Sequence, residues 1–386
     1  MNRNASPLSF FEFFAGGGMA RLGLGQAWDC AFANDFDAVK AATYADNFPG
    51  LGMKDGKGHF HQGDVWDLTA DDLPGRADLA WASSPCQDLS LAGARKGLAG
   101  ERSSAFFGFW KLVEALDDQG RAPDTVVVEN VVGLLTSHRG DDFTALCGLL
   151  AARGYRFGAL EIDASHFVPQ SRPRVFVVAT RLPVDGLEGQ SPFHGRAVRE
   201  AAARLPADLK ERWIWWGLDA PPARNADLAA VLEPDDQVEW RGEEATAALL
   251  DLMAPSHRAS VDARIRSGER AVGAVFRRMR GGDQRAEVRF DGLAGCLRTP
   301  RGGSSRQTLL VIDKGQVDKG QVRSRLVTPR EGARLMGLPD GYRLPRSATA
   351  GLHVIGDGVA APVVRWLSER LLTPLALRKS AQLAAE

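Results

Sequence analysis

Short apolar runs alternate with amphipathic stretches from residue 8 to residue 181, and glycine, proline and aspartate punctuate the joins. Phe10-Phe11-Glu12-Phe13-Phe14 leads into Ala15-Gly16-Gly17-Gly18, which reads as strand, glycine turn and a helix starting near Met19-Ala20-Arg21. Leu79-Ala80-Trp81-Ala82 and Thr125-Val126-Val127-Val128 are uncharged runs of the length of buried strands, and Val175 to Ala179 is another. Cys30-Ala31-Phe32-Ala33 is a further apolar stretch, and a short element ends at Gly63-Asp64-Val65. Between the strands, Phe106, Phe109, Trp110, Val113 and Leu116 recur at helical spacing. Strand and helix in alternation predict an α/β fold, a doubly wound and mostly parallel sheet with helices on both faces.

Several strand ends carry polar groups that an apolar run does not need. Ser84-Pro85-Cys86-Gln87-Asp88-Leu89-Ser90 follows the run at 79–82. It delivers a proline-braced cysteine to a strand end, where open α/β sheets place their sites. The thiolate is the nucleophilic form of that side chain. Asp35 stands about 20 residues past the glycine turn, the spacing at which nucleotide-binding folds hold ribose hydroxyls. Asp64 is placed to reach an adenine edge. A glycine turn alone is also compatible with a plain tight turn. Glu129, in Glu129-Asn130-Val131, is a carboxylate at the tip of an apolar strand, costly there without a partner or a task. A helix cap or an ion pair would also account for it. Pro169-Gln170-Ser171-Arg172-Pro173-Arg174 puts two arginines on alternate positions of an extended segment, which point the same way; a solvated edge-strand face is the bland alternative.

These blocks, in this order, resemble the DNA cytosine-5 methyltransferase family. The series continues with Arg325-Leu326-Val327-Thr328-Pro329-Arg330-Glu331, then Arg334-Leu335-Met336-Gly337-Leu338-Pro339, then Gly356-Asp357-Gly358-Val359 with Pro362-Val363. The resemblance covers nearly the whole chain except about 186–324. It implies a Rossmann-like methyltransferase sheet in a catalytic and cofactor domain at 1–185. A smaller, irregular, β-rich target-recognition domain follows at 186–324, and 325–386 returns to the first domain, with DNA between the two lobes.

The resemblance also implies an activity: methyl transfer from S-adenosylmethionine, leaving S-adenosylhomocysteine, to carbon 5 of a flipped-out cytosine in a specific DNA sequence. Carbon 5 is a poor nucleophile, and thiolate attack at carbon 6 makes it enamine-like. Cys86 is then the nucleophile. Glu129 stabilises ring nitrogen 3, which asks for a carboxyl that holds a proton near neutral pH. Arg172 and Arg174 hold the cytosine carbonyl oxygen and order the site, Arg174 foremost. On the cofactor side the resemblance implies Phe14, Gly16 and Gly18 at the turn, Asp35 on the ribose, and Phe36 beside the adenine. Asp64 and Val65 meet the adenine, Pro85 walls the methyl, and Asp357 and Val359 close the site. Asp357 replaces the family's usual asparagine, so it accepts a hydrogen bond but donates none. Ser103-Ser104 and Ser84 also depart from the common pattern, away from the nucleophile.

The stretch 87–102 carries Gly93, Gly97, Gly100, Arg95, Lys96 and Arg102, the makings of a loop that closes over a flipped base, with Ser90 on a phosphate. An ordinary solvated loop is the alternative. Net charge is zero, with 48 cationic and 48 anionic side chains, which alone argues against a binder of phosphates. The balance is local, however: Arg258 to Arg306 holds 12 arginines against 5 acids. Within it, the glycine-flexible stretch 295–309 offers Arg298, Arg301, Arg306 and Gln307 for base edges, phosphates competing for the same arginines. Arg277, Arg278 and Arg280 suit the DNA backbone. Trp213-Ile214-Trp215-Trp216 reads as a packing anchor for the small domain rather than a base-stacking platform. Asp313-Lys314-Gly315-Gln316-Val317 is repeated at once over 318–322, an insertion expected in a surface hairpin or linker.

The four cysteines form no Cys-x-x-Cys pair, so no metal is expected; Cys30 and Cys147 read as core. No apolar run of membrane length is present, and a cytoplasmic monomer without membrane contact is expected. Double-stranded DNA is the expected partner, joined by a cognate restriction endonuclease if the enzyme serves a restriction-modification system rather than a phage or a solitary role. Two rival readings stand beside this one. A transfer-RNA-modifying branch of the family carries a Cys-Phe-Thr tripeptide absent here. A non-catalytic DNA binder would not be expected to keep Cys86, Glu129, Arg172 and Arg174.

Overall fold

The computed structural model describes residues 8–49, 59–84, 105–224, 226–299, 306–315 and 322–383. Pro85, Cys86, Ser90, Arg301 and the stretch 87–102 lie outside the described residues. The chain forms two compact units. The first combines residues 1–163, 173–221 and 358–386; the second combines 164–172 and 222–357. The divisions expected at 185/186 and 324/325 fall inside these units.

Unit 1 is built on a seven-stranded sheet of β1 (Leu8–Phe13), β2 (Trp28–Asp35), β3 (Phe60–Gln62), β4 (Leu79–Ala82), β5 (Thr125–Val131), β6 (Arg156–Asp163) and β7 (Pro173–Thr180). Their spatial order is β3-β2-β1-β4-β5-β7-β6. The first five are parallel neighbours, and β7 runs antiparallel to both β5 and β6. β1, β4 and β5 read as near-continuous apolar runs because central strands of such a sheet are covered on both faces. Every residue of β4 is buried, as is every residue of β5 before Val131. Helix α3 (Ala105–Asp118) buries Phe106, Phe109, Trp110, Val113 and Leu116, the positions its spacing predicts, against the core of this sheet. The tryptophan segment is an anchor, but for unit 1: Ile214 donates to Phe157 on edge strand β6 (2.7 Å), and Trp216 Nε1 donates to the Val178 carbonyl (3.2 Å).

Residues from Gly358 onward rejoin unit 1 through helix α11 (Ala361–Leu367). A Cβ on Gly23, in helix α1 (Met19–Leu24), would lie 2.4 Å from Val364, and one on Gly358 would lie 2.2 Å from Met19 Sδ. The chain end therefore packs against the helix that leaves the glycine turn.

Unit 2 carries an antiparallel sheet in the order β11-β10-β8-β9, from β8 (Ala271–Arg280), β9 (Asp283–Arg289), β10 (Thr308–Ile312) and β11 (Val322–Leu326). Its own core gathers Leu249, Met253, Val261, Val275, Val288 and Leu310. Strands β10 and β11 pair antiparallel with Ile312 opposite Val322, and residues 316–321 of the tandem copy lie outside the described residues. Helix α9 (Pro329–Leu335) opens with a capping box, Thr328 and Glu331 bonding each other's backbone. Glu331 also makes a two-pronged, fully buried bridge to Arg325.

Candidate active site

Adjacent strands β4 and β5 end in polar residues at the same edge of the unit 1 sheet. Ser84 ends the described part of the β4 segment, and the Asn130 side chain donates to its carbonyl at 2.9 Å. That carbonyl belongs to the peptide joining Ser84 to Pro85. Glu129, one residue back on β5, is buried, and Arg174 Nε on neighbouring β7 lies 3.2 Å from its Oε1. The ion-pair alternative for Glu129 is therefore realised, with Arg174 as its partner.

Arg172 is used differently from Arg174. Strand β7 begins at Pro173, one residue after Arg172, whose carbonyl accepts the Ala164 N–H (3.1 Å). It is 2% exposed within unit 2, and its guanidinium donates to the carbonyls of Leu297 (2.8 Å) and Gly356 (2.9 Å). Gln170, fully buried, donates to the Leu335 carbonyl (2.8 Å) and accepts from the Leu297 N–H (3.0 Å). Both side chains fasten the 295–299 segment. Arg172 and Arg174 thus have different partners, each within its own unit.

The glycine turn has the strained backbone its sequence suggests. Phe14, Gly16 and Gly18 all have positive φ (58°, 56° and 80°), a region Phe14 occupies at a cost that glycine avoids. Asp35, at the end of β2, accepts the Gly16 N–H at 2.8 Å and the Asp37 N–H at 2.9 Å, one on each oxygen. Burial pushes its carboxyl above the usual range, against the pull of Lys40 and these bonds. Each oxygen keeps a second lone pair for another donor. Phe36 beside it is 69% exposed, an uncovered aromatic face at the lip of the turn. Asp64 caps a short turn by accepting the Trp66 N–H, and Val65 is buried under it.

The profile of the C-5 cytosine-specific DNA methylase family matches residues 8–373, nearly the whole chain. The chain belongs to the C-5 cytosine-specific DNA methylase family. Type II methyltransferase M.NlaX of Neisseria lactamica is 26% identical over 369 residues, covering 94% of this chain and 96% of that protein. Type II methyltransferase M.HhaI of Haemophilus parahaemolyticus is 23% identical over 373 residues, covering 95% of each. The solved structure of the S. pombe Dnmt2 methyltransferase superposes with a TM-score of 0.58 at 17% identity, over 95% of this chain and 99% of that one, and speaks for the fold.

This cytosine-5 methylase family, like its fold, is one of S-adenosylmethionine-dependent methyltransferases. The turn fits such a ligand. A buried carboxylate with free lone pairs suits a ribose diol, an exposed ring suits a purine, and Gly16 has nothing within 4 Å of where a Cβ would stand. Among the described residues no group of three or more His, Cys, Asp or Glu could hold a metal, and no helix is long and apolar enough to cross a membrane.

The remaining expected residues divide. In unit 2 the Asp357 carboxylate accepts the Thr299 hydroxyl, while Val359 is buried in unit 1. Arg298 is exposed and Arg306 half-buried. Gln307 has both ends of its amide engaged, accepting from Gly295 N–H (3.1 Å) and donating to the Val275 carbonyl (3.3 Å). These bonds tie it to the 295 segment and to β8. Glu12, which is 1% exposed on β1, is a buried acid outside the motifs named above. Its signal was plain: one carboxylate flanked by two phenylalanines on either side.

Proposed function

We propose that this DNA cytosine-5 methyltransferase modifies a specific sequence through a covalent adduct of Cys86 with carbon 6 of a flipped-out cytosine. The observation that carries the reading is the pairing of Glu129 with Arg174 beside the strand end that leads to Pro85 and Cys86. Attack by the thiolate breaks the ring's aromaticity and raises electron density at carbon 5. Glu129 stands at ring nitrogen 3 and hydrogen-bonds there as the adduct forms. Arg174, already fixed against Glu129, binds the carbonyl oxygen next to it. Arg172 serves by bracing Leu297 and Gly356 rather than by touching the base. S-adenosylmethionine supplies the methyl group when bound. Asp35 accepts its ribose hydroxyls, Phe36 stacks against its adenine, and Asp64 and Val65 line the adenine's edge. Phe14, Gly16 and Gly18 let backbone approach it, and Pro85, Asp357 and Val359 complete the enclosure. Loss of the carbon 5 proton to water then lets the ring double bond re-form as Cys86 departs.

Unit 2 is the reading's choice for sequence recognition. Its β8–β9 hairpin exposes Arg277, Arg278 and a 65%-exposed Met279 ahead of a two-glycine tip. A two-stranded ribbon of this kind fits the major groove. Arg298, Arg301 and Arg306 add contacts to bases or phosphates, and Ser90 touches a phosphate. The Type II names of the relatives support a role beside a cognate restriction endonuclease.

The test is adduct trapping. A duplex carrying 5-fluorocytosine at the target cannot lose fluorine in place of the carbon 5 proton. The protein should therefore form a denaturant-resistant complex with it, and Cys86→Ala should form none while still binding S-adenosylmethionine. A complex that persists in Cys86→Ala would refute the assignment.

A further inference from the structure

The strand entering the glycine turn carries a carboxylic acid that the reaction above does not use. Glu12 Oε1 accepts the Arg21 backbone N–H (3.3 Å), and Oε2 accepts the Tyr44 hydroxyl (3.2 Å). That hydroxyl also accepts from Arg21 Nη1 (3.1 Å) and lies 3.4 Å from Cys30 Sγ. The same Arg21 nitrogen is 3.0 Å from His59 Nε2. A row of polar groups thus runs from buried Glu12 through Tyr44 and Arg21 to the half-buried His59.

The row stands directly behind the turn. A Cβ on Gly18 would lie 2.3 Å from the Phe48 ring and 3.0 Å from the Tyr44 ring, and the Arg21 guanidinium sits 4.4 Å from the centre of Phe48. The groups facing Glu12 are Arg21 from α1, Tyr44 from helix α2 (Ala38–Asn47), and Asp35 and Cys30 from β2. Burial pushes the Glu12 carboxyl up to about 8; Arg21 and the Tyr44 bond oppose the rise and Asp35 adds to it. A carboxyl in that range divides between its two forms near neutral pH. A positive charge arriving nearby favours the ionised one.

The methyl donor is a sulfonium and carries one more positive charge than its thioether product. We infer that Glu12 is a charge-sensing positioning residue: it releases its proton to solvent when the sulfonium ligand binds at the turn in front of it, and so favours S-adenosylmethionine over S-adenosylhomocysteine. The inference rests on placing that cofactor at the glycine turn, and it gives the buried acid a part in exchanging product for fresh substrate.

Calorimetric titration of the full chain with each ligand, in two buffers of different ionisation enthalpy, counts the protons released. The wild type should release more with S-adenosylmethionine than with S-adenosylhomocysteine. Its preference for the former should rise about fivefold from pH 6.5 to 8.5, a modest coupling between two sites. Glu12→Gln should lose both effects, and comparing one ligand between the two proteins cancels the ligand's own ionisation. Tyr44→Phe removes a bond that favours ionised Glu12 and should move the rise to higher pH. Equal release with both ligands in the wild type, or a rise that persists in Glu12→Gln, overturns this inference and leaves the cofactor reading standing. Failure of both ligands to bind overturns the two together.

Discussion

Arg174 Nε, on β7, lies 3.2 Å from Oε1 of Glu129, on the neighbouring strand β5. The strands run antiparallel, with Val131 opposite Arg174 and Glu129 opposite Phe176, so the pair is a diagonal one, offset by two residues across the sheet. Both side chains are mostly withdrawn from water, which holds them in one geometry and strengthens the attraction between them. A carboxyl for ring nitrogen 3 and a guanidinium for the adjacent carbonyl are thereby fixed before a base arrives.

Glu129→Gln should lower kcat by about 10²–10⁴, the range for removing a positioned acid or base, and leave S-adenosylmethionine affinity as it was. Arg174→Ala leaves a buried carboxylate unpaired and should cost about 1–3 kcal/mol of stability besides activity. Steady-state kinetics with a urea melt separates the two. Full turnover by Glu129→Gln would remove it from the chemistry.

The fully buried bridge between Arg325 and Glu331 governs unit 2. Glu331 also accepts the backbone N–H groups of Thr328 and Glu233 (3.0 and 2.9 Å). Arg325→Met strands that charge and should cost about 3–5 kcal/mol, read as a lowered denaturant midpoint. A loss under about 1 kcal/mol would mean that the backbone donors alone support Glu331.

Gly16 and Gly18 both need positive φ but differ in room. Gly16→Ala meets no neighbour and should cost about 1 kcal/mol from backbone strain. Gly18→Ala adds a collision with Phe48 and Tyr44, so it should be the less stable protein and the weaker cofactor binder. Thermal melts with and without S-adenosylmethionine give the order; the reverse order would contradict the packing.

Much of unit 1 was legible because its central strands are apolar runs and its glycine turn needs glycine. The ends of those strands announced Asp35 and Glu129. The partners of Arg172 and Gln307 were not legible because they are remote in sequence or buried in another strand. Arg172 meets Leu297 and Gly356, 125 and 184 residues away, and Gln307 is held by Gly295 and Val275. Polar type predicted a ligand for each where the fold supplied a carbonyl or N–H. Glu12 is hard to single out for the opposite reason: its strand is so apolar that a lone acid within it reads as part of the run.

Acid should loosen unit 2 in a defined window. Hydrogen bonds from Arg270 and Arg323 hold the Asp235 carboxyl down to about 2, below its ordinary 3.8. A carboxyl lowered on folding stabilises above its unfolded value, and that contribution fades as pH falls from about 4 towards 2. Asp235→Asn should therefore flatten the pH dependence of stability in that interval, as measured by melts from pH 2 to 6. An unchanged slope would assign the acid sensitivity elsewhere.

The most direct test of the central claim is methylation mapping at base resolution. Purified protein is incubated with S-adenosylmethionine and unmethylated plasmid, and 5-methylcytosine is read by sequencing, with Cys86→Ala alongside. The account predicts marks confined to one short recurring sequence with the wild type and none with the variant. An unmarked plasmid after incubation with the wild type, or marks laid down by Cys86→Ala, would contradict it.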